Sequence, residues 1–145
     1  MNRQRIRVLF AVIVLCVTQQ PHLMTITLAQ DSFDPINALA WRPDGTQFAT
    51  GHYSGDVKIW DASTQQILQT IPGPNSSGLS TTPAVYSLNW SSDGTKIAVG
   101  TTYFLGVGSI WLADVISGQP TAEFDGEGGV YAAALSPDGN LLAAG

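Results

Sequence analysis

The chain has 145 residues, 44% of them hydrophobic and only 12% charged, with 15 glycines and a formal net charge of −5. That composition suits a turn-rich β-protein and argues against a disordered chain. The acidic balance argues against phosphate-backbone binding, so nucleic acid is not an expected partner.

Charge is lopsided along the chain. Arg3, Arg5 and Arg7 stand before residue 8, and all 11 acidic residues lie at Asp31 or later. Met1–Arg7 is a basic head followed by ten unbroken apolar residues, Val8–Val17. Ten residues are too few to span a bilayer, which needs about 20; the length fits the apolar core of a secretory signal. Thr27-Leu28-Ala29 offers small residues before a cut near Gln30, so residues 1–29 are expected to be a signal peptide or an uncleaved membrane anchor. The body that remains, residues 30–145, carries Arg42, Lys58 and Lys96 against those 11 acids, a net charge of −8. Leu23–Leu28 also alternates like a strand and, if retained, could serve as the outer strand of a last blade. Cys16 is the only cysteine, which leaves no intramolecular disulfide or Cys-based zinc site, and His22 and His52 make no ligand spacing.

From Ile36 onward the chain repeats. Trp41-Arg42-Pro43-Asp44-Gly45, Trp90-Ser91-Ser92-Asp93-Gly94 and Leu135-Ser136-Pro137-Asp138-Gly139 align without gaps, at offsets of 49 and 45 residues. Six residues beyond each of those turn glycines stands another glycine, Gly51, Gly100 or Gly145. Periods of this size mark stacked supersecondary units. Each unit reads as short strands. Ile36–Trp41 is apolar, the Asp–Gly turn follows, Gln47–Thr50 resumes, Val57–Trp60 alternates with period two, and Ile67–Ile71 closes the unit. In the turn, Asp can bond the backbone two residues on, and Gly accepts a positive φ.

Val57-Lys58-Ile59-Trp60-Asp61, with its closing Trp-Asp pair, and the preceding Phe48-Ala49-Thr50-Gly51 resemble the WD-repeat family. The resemblance covers about Ile36 to Gly145 and implies an all-β fold, a partial β-propeller of four-stranded antiparallel blades: a blade at 36–71, a blade at 85–124 and two strands of a third at 130–145. The repeats are degenerate. Ala113 stands where Trp60 does, and Trp111 aligns with Lys58 and is expected on the other face of its strand. Ser32, Thr81 and Gly126 replace the family's His ahead of the first strand, and Ser54 replaces the Asp before the third. The expectation is that the family's Asp–His–Ser–Trp hydrogen-bond network cannot form and that rigidity comes mainly from apolar packing between blades.

Two loops are enlarged: Pro72–Pro83, which contains the sequon Asn75-Ser76-Ser77, and Thr101–Gly108, four residues longer than its counterpart. In a four-stranded meander both fall on one rim, where binding usually resides. Tyr103, Phe104 and Leu105 are the candidate partner-binding anchors, because exposed aromatics dominate hot spots. Chemistry is not expected. Gly51-His52-Tyr53-Ser54-Gly55 places its serine one position late for a nucleophile elbow, and Asp125-Gly126-Glu127 lacks the alternating ligands of a calcium loop. Trp41, Trp60 and Trp90 read as core packing. No cofactor or metal is expected.

Two blades and two strands of a third cannot close a ring of four to eight blades. The remaining blades are expected from missing chain or from self-association, with Leu141–Ala144 as an open apolar edge strand. The function expected is a non-catalytic, exported or membrane-associated WD-repeat scaffold for a protein partner, with membrane contact only through the N-terminal segment if it is uncleaved. The alternatives are the propeller portion of a larger exported, peptidase-like enzyme with its catalytic domain beyond residue 145, or a truncated product with no independent role.

Overall fold

A computed structural model describes residues 34–74, 83–103 and 106–145. Residues 1–33, with the expected signal or anchor, and residues 75–82, with the sequon, lie outside the described residues.

Among the described residues every regular element is a β-strand. The first sheet is a meander of β1 (Ile36–Trp41), β2 (Gln47–His52), β3 (Val57–Asp61) and β4 (Ile67–Ile71). The second repeats it with β5 (Ala84–Trp90), β6 (Lys96–Thr102), β7 (Ser109–Asp114) and β8 (Gln119–Asp125). A third sheet holds β9 (Ala133–Leu135) and β10 (Leu142–Ala144), so the open strand begins one residue later than the sequence suggested. All neighbouring strands pair antiparallel. This is a partial β-propeller with two complete four-stranded blades.

Two local devices fix the meander. In the β1–β2 turn the Asp44 carboxylate accepts from the Thr46 amide at 3.0 Å, and Gly45 carries φ +71°. Asp93 and Asp138 bond the amides of Thr95 and Asn140 in the same way. In the β3–β4 turn Asp61 accepts from the amides of Ser63 and Thr64, as Asp114 does from Ile116 and Ser117 in the β7–β8 turn. The aspartate of the Trp-Asp pair is therefore a turn-former. Where the second blade has Gly118 in the left-handed region, the first has Gln65 at φ +62°.

The core lies between the first two blades. Ala38, Ala40, Ala49, Val57, Ile59 and Ile71 of the first meet Val85, Leu88, Trp90, Ile97, Val99, Trp111 and Ala113 of the second. Trp111 is fully buried together with Ala113, and β7 alternates with Ser109, Trp111 and Ala113 all on the covered side. The expectation that Trp111 takes the opposite face is corrected here. Positions two apart on a strand share a face, so the aromatic ring has moved along the strand without leaving its side. Trp60 and Trp90 are buried as core residues, but Trp41 is 46% exposed. Trp41 lies on the outer side of the first blade, against which no further blade packs among the described residues.

Candidate interaction rim

The β2–β3 turn, the β6–β7 turn and the segments entering and leaving the blades gather at one end of the sheets. Their backbones nearly touch. A Cβ added to Gly73, in the link after β4, would lie 2.8 Å from the Gly55 carbonyl oxygen. One added to Gly126, after β8, would lie 2.9 Å from that of Gly108. The Gly126 amide donates to the Gly108 carbonyl at 2.8 Å and the Val130 amide to that of Thr101 at 3.2 Å. Small residues here are a steric requirement of turn-to-link packing, and longer side chains are left to the exposed turn tips.

Tyr103 opens the β6–β7 turn. Its amide donates to Val107 O at 2.7 Å and its carbonyl accepts from Gly106 N at 2.9 Å, and the residue as a whole is half-buried. Phe104 and Leu105 lie outside the described residues. The turn proper spans six residues, 103–108, against four in the first blade, 53–56; the rest of the inserted length extends β6 and β7 by one residue each. Around it the rim exposes Tyr53, Val107 and Tyr131, the last packed edge-on against Tyr86 at 5.5 Å.

On the first blade the rim carries an arrangement that the sequence reading missed. The Trp60 indole N–H donates to Thr50 Oγ1 at 2.8 Å, and that hydroxyl lies 2.9 Å from His52 Nε2. On the other side of the ring His52 Nδ1 stands 3.0 Å from the Asp34 carboxylate. Asp34 also accepts from the Ser54 amide at 2.8 Å and hydroxyl at 3.1 Å, with Lys58 Nζ at 3.5 Å. The network held to be impossible is therefore present, with its parts exchanged. The imidazole comes from the end of β2 and the carboxylate from the segment before β1. Ser54, which replaces the turn Asp, holds that carboxylate.

Burial and the nearby Lys58 charge hold His52 below its ordinary pKa, against the opposing pull of Asp34. A neutral ring with its proton on Nδ1 satisfies every contact in one direction: Trp60 to Thr50, Thr50 to His52, His52 to Asp34. Burial alone would raise the Asp34 carboxyl. The Ser54 amide, His52, the Ser54 hydroxyl and Lys58 outweigh it and hold the group below the usual range. The clue was available in the alternation: Thr50 and His52 share one face of β2, and Thr50 pairs across to Lys58, two residues from Trp60. The second blade has Thr101 at the position of His52, where its hydroxyl donates to Ser109 O at 3.0 Å. Trp111 Nε1, fully buried, meets no acceptor among the described residues.

Four-stranded meanders packed side by side in register, with Asp-closed turns and an indole–hydroxyl–imidazole–carboxylate chain, define a blade of a repeat propeller. The family model described as "WD domain, G-beta repeat" matches residues 23–61 and 118–145. The chain belongs to the WD-repeat β-propeller family. The match passes over most of the second blade, whose strands are regular but whose Trp-Asp pair is lost.

Among relatives, the chain is 31% identical over 113 residues to guanine nucleotide-binding protein subunit beta-1 of Nicotiana tabacum, covering 76% of this chain and 29% of that protein. It is 34% identical over 67 residues to the ciliary WD repeat-containing protein ctxp80 of Euplotoides octocarinatus, covering 46% of this chain and 8% of that protein. The chain thus spans less than a third of the length of these relatives. Among solved structures, the β-propeller domain of Myceliophteria thermophila Cps50 (Swd1) superposes with a TM-score of 0.64 at 24% identity, covering 75% of this chain and 32% of that one. Kuenenia stuttgartiensis hydrazine synthase does so with a TM-score of 0.62 at 20% identity, covering 75% and 28%. One of these two proteins is a synthase by name, so the shared fold does not by itself decide whether catalysis is present.

Proposed function

We propose that the chain is a non-catalytic scaffold that holds a protein partner on the rim carrying the β6–β7 turn, with Tyr103, Phe104 and Leu105 as anchors. The observation that supports this reading is the rim itself, where turns and links of both blades are joined backbone to backbone at the end that carries the enlarged β6–β7 connection. Rigid presentation lowers the ordering cost of binding. The relatives named as guanine nucleotide-binding protein beta subunits are, by that name, parts of an assembly, which favours a partner-binding role here. Residues 1–29 direct the chain to export, or tether it to a membrane if they are kept.

The test uses the full chain, tagged at its C-terminus and immobilised, to capture proteins from an envelope extract of the producing cell. Tyr103→Ser with Phe104→Ser should abolish capture of a partner that Ile116→Ser, at an exposed site on the opposite turn, still retains. Equal capture by both variants removes the rim from the reading. N-terminal sequencing of the secreted fraction separately tests export, which a chain beginning at Met1 in the cytosol would exclude.

A further inference from the structure

The chain holds four Asp-Gly pairs, Asp44-Gly45, Asp93-Gly94, Asp125-Gly126 and Asp138-Gly139, and all four aspartates are exposed. In every pair the glycine amide is bonded. Gly45, Gly94 and Gly139 donate to the carbonyls of Arg42, Ser91 and Ser136 at 2.9, 2.9 and 2.8 Å, and Gly126 donates to that of Gly108 at 2.8 Å. The carboxylates differ. Asp44 accepts from the Thr46 amide at 3.0 Å and hydroxyl at 2.8 Å. Asp93 accepts from the Thr95 amide at 3.0 Å and hydroxyl at 2.9 Å, and from the Ser91 hydroxyl at 2.6 Å. Asp138 accepts from the main-chain and side-chain amides of Asn140 at 3.1 and 3.0 Å, and from the Ser136 hydroxyl. Asp125 ends β8 opposite Ser109, and its carboxylate meets no donor or cation among the described residues.

An aspartate ahead of a glycine has a reaction of its own, since the missing side chain leaves the glycine nitrogen open to close approach. That nitrogen attacks the aspartate side-chain carboxyl carbon. The amide proton and the carboxyl hydroxyl leave as one water molecule, and a five-membered succinimide closes. Water then adds back. Breaking the bond from nitrogen to the side-chain carbonyl restores aspartate, whereas breaking the bond to the main-chain carbonyl leaves a β-linked isoaspartate with a free α-carboxylate. Mass is unchanged and water is the only co-reactant. Ring closure needs a protonated carboxyl that can turn toward the next nitrogen. The turn bonds aim the carboxylates of Asp44, Asp93 and Asp138 at the residue two places on. They also hold each of these groups below its ordinary pKa, led by the Thr46 amide, the Ser91 hydroxyl and the Ser136 hydroxyl respectively.

We propose that Asp125-Gly126 is a site of spontaneous isoaspartate formation in the folded chain, and that the three turn pairs are protected from it by their own closing bonds. The modified link gains one main-chain atom where there is no room for it. A Cβ on Gly126 would lie 2.9 Å from the Gly108 carbonyl oxygen and 3.2 Å from Val130 Cγ2. Isomerisation therefore breaks the Gly126–Gly108 bond and loosens the link at Val130, whose amide donates to the Thr101 carbonyl.

The experiment ages the full chain for several weeks at neutral pH and body temperature, beside the same chain unfolded in urea. Peptide mapping by mass spectrometry, with fragmentation that separates the two linkages, reads isoaspartate at each pair. In the folded chain it should accumulate at Asp125 about tenfold or more faster than at Asp44, Asp93 or Asp138, because two or more hydrogen bonds must break before those carboxyls turn. In urea the four pairs should approach one rate. Asp125→Glu, whose longer side chain closes its ring far more slowly, should abolish the product in this link. The isomerised fraction should exchange its Val130 amide faster than the fresh chain does. Equal accumulation at all four pairs in the folded chain overturns the assignment, as does none at Asp125 while the unfolded chain isomerises. Unchanged Val130 protection in the isomerised fraction overturns its structural consequence.

Discussion

At the residue scale, two tryptophans on equivalent sides of adjacent blades are used in opposite ways. Trp60 stacks on Phe48 with ring centroids 5.9 Å apart and gives its N–H to Thr50. Trp111 is more deeply buried, yet its N–H meets no acceptor among the described residues. A made hydrogen bond contributes about 1 kcal/mol, whereas a buried donor left unmade costs about 1–3 kcal/mol. Trp60→Phe should therefore lower stability by about 1 kcal/mol. Trp111→Phe should cost less than that or raise stability, although the ring it shortens is the better buried. Urea denaturation of both variants checks the order, and a larger loss at Trp111 would contradict it. Trp111 departs from the expectation because a displacement by two positions along a strand keeps a side chain on the same face. The His52 network went unread for a different reason. Asp34 and His52 are 18 residues apart, and only the pairing of β1 with β2 brings them together.

At the scale of the element, the turns are carboxylate-closed and were legible because their chemistry is local. An Asp whose acceptor geometry needs only the next two or three residues can be recognised without knowing the fold. The Ser63 hydroxyl, followed by the Thr64 amide, draws the Asp61 carboxyl down to about 2. The Ser91 hydroxyl, followed by the Thr95 amide, does the same at Asp93, also to about 2. Asp114 and Asp138 are lowered in the same direction, chiefly by the Ser117 amide and the Ser136 hydroxyl. A carboxyl lowered in the folded state contributes stability that is present above its unfolded pKa and lost as pH falls through the folded one. His52, also lowered, is neutral when folded and accepts a proton more readily when unfolded, so its contribution too is lost on acidification. Stability should therefore decline in two stages, first from about pH 6.5 downward for the imidazole and then below about pH 4 for the carboxylates. Urea midpoints across this range should show the first stage vanish in His52→Gln. A midpoint that holds level down to pH 4 in the wild type would refute the imidazole stage.

At the scale of the whole molecule, stability is unevenly distributed. β2, β3, β6 and β7 pair on both sides and hold the most deeply buried positions, whereas β10 pairs only with β9 and is half-buried at best. Protection from amide hydrogen exchange should follow that order, with the central strands slowest and β10 fastest. Uniform protection from β1 to β10 would contradict this. The repeat made the architecture legible, since 49- and 45-residue offsets with matching turns leave few alternatives to stacked meanders. The order of burial was not legible, because it depends on which blade faces have a neighbour. The same tryptophan position is core in the second blade and surface in the first.

The exchanged carboxylate has a mechanical side. Asp34 is gripped by Ser54, His52 and Lys58 through four donor atoms, and it stands two residues before the start of the first strand. Tension arriving through the polypeptide upstream of that point is met by a polar clamp before it reaches the β1 ladder. The clamp is continuous through His52 and Thr50 with the Trp60 indole, so the anchoring of the segment before β1 and the seating of that ring share one hydrogen-bonded chain.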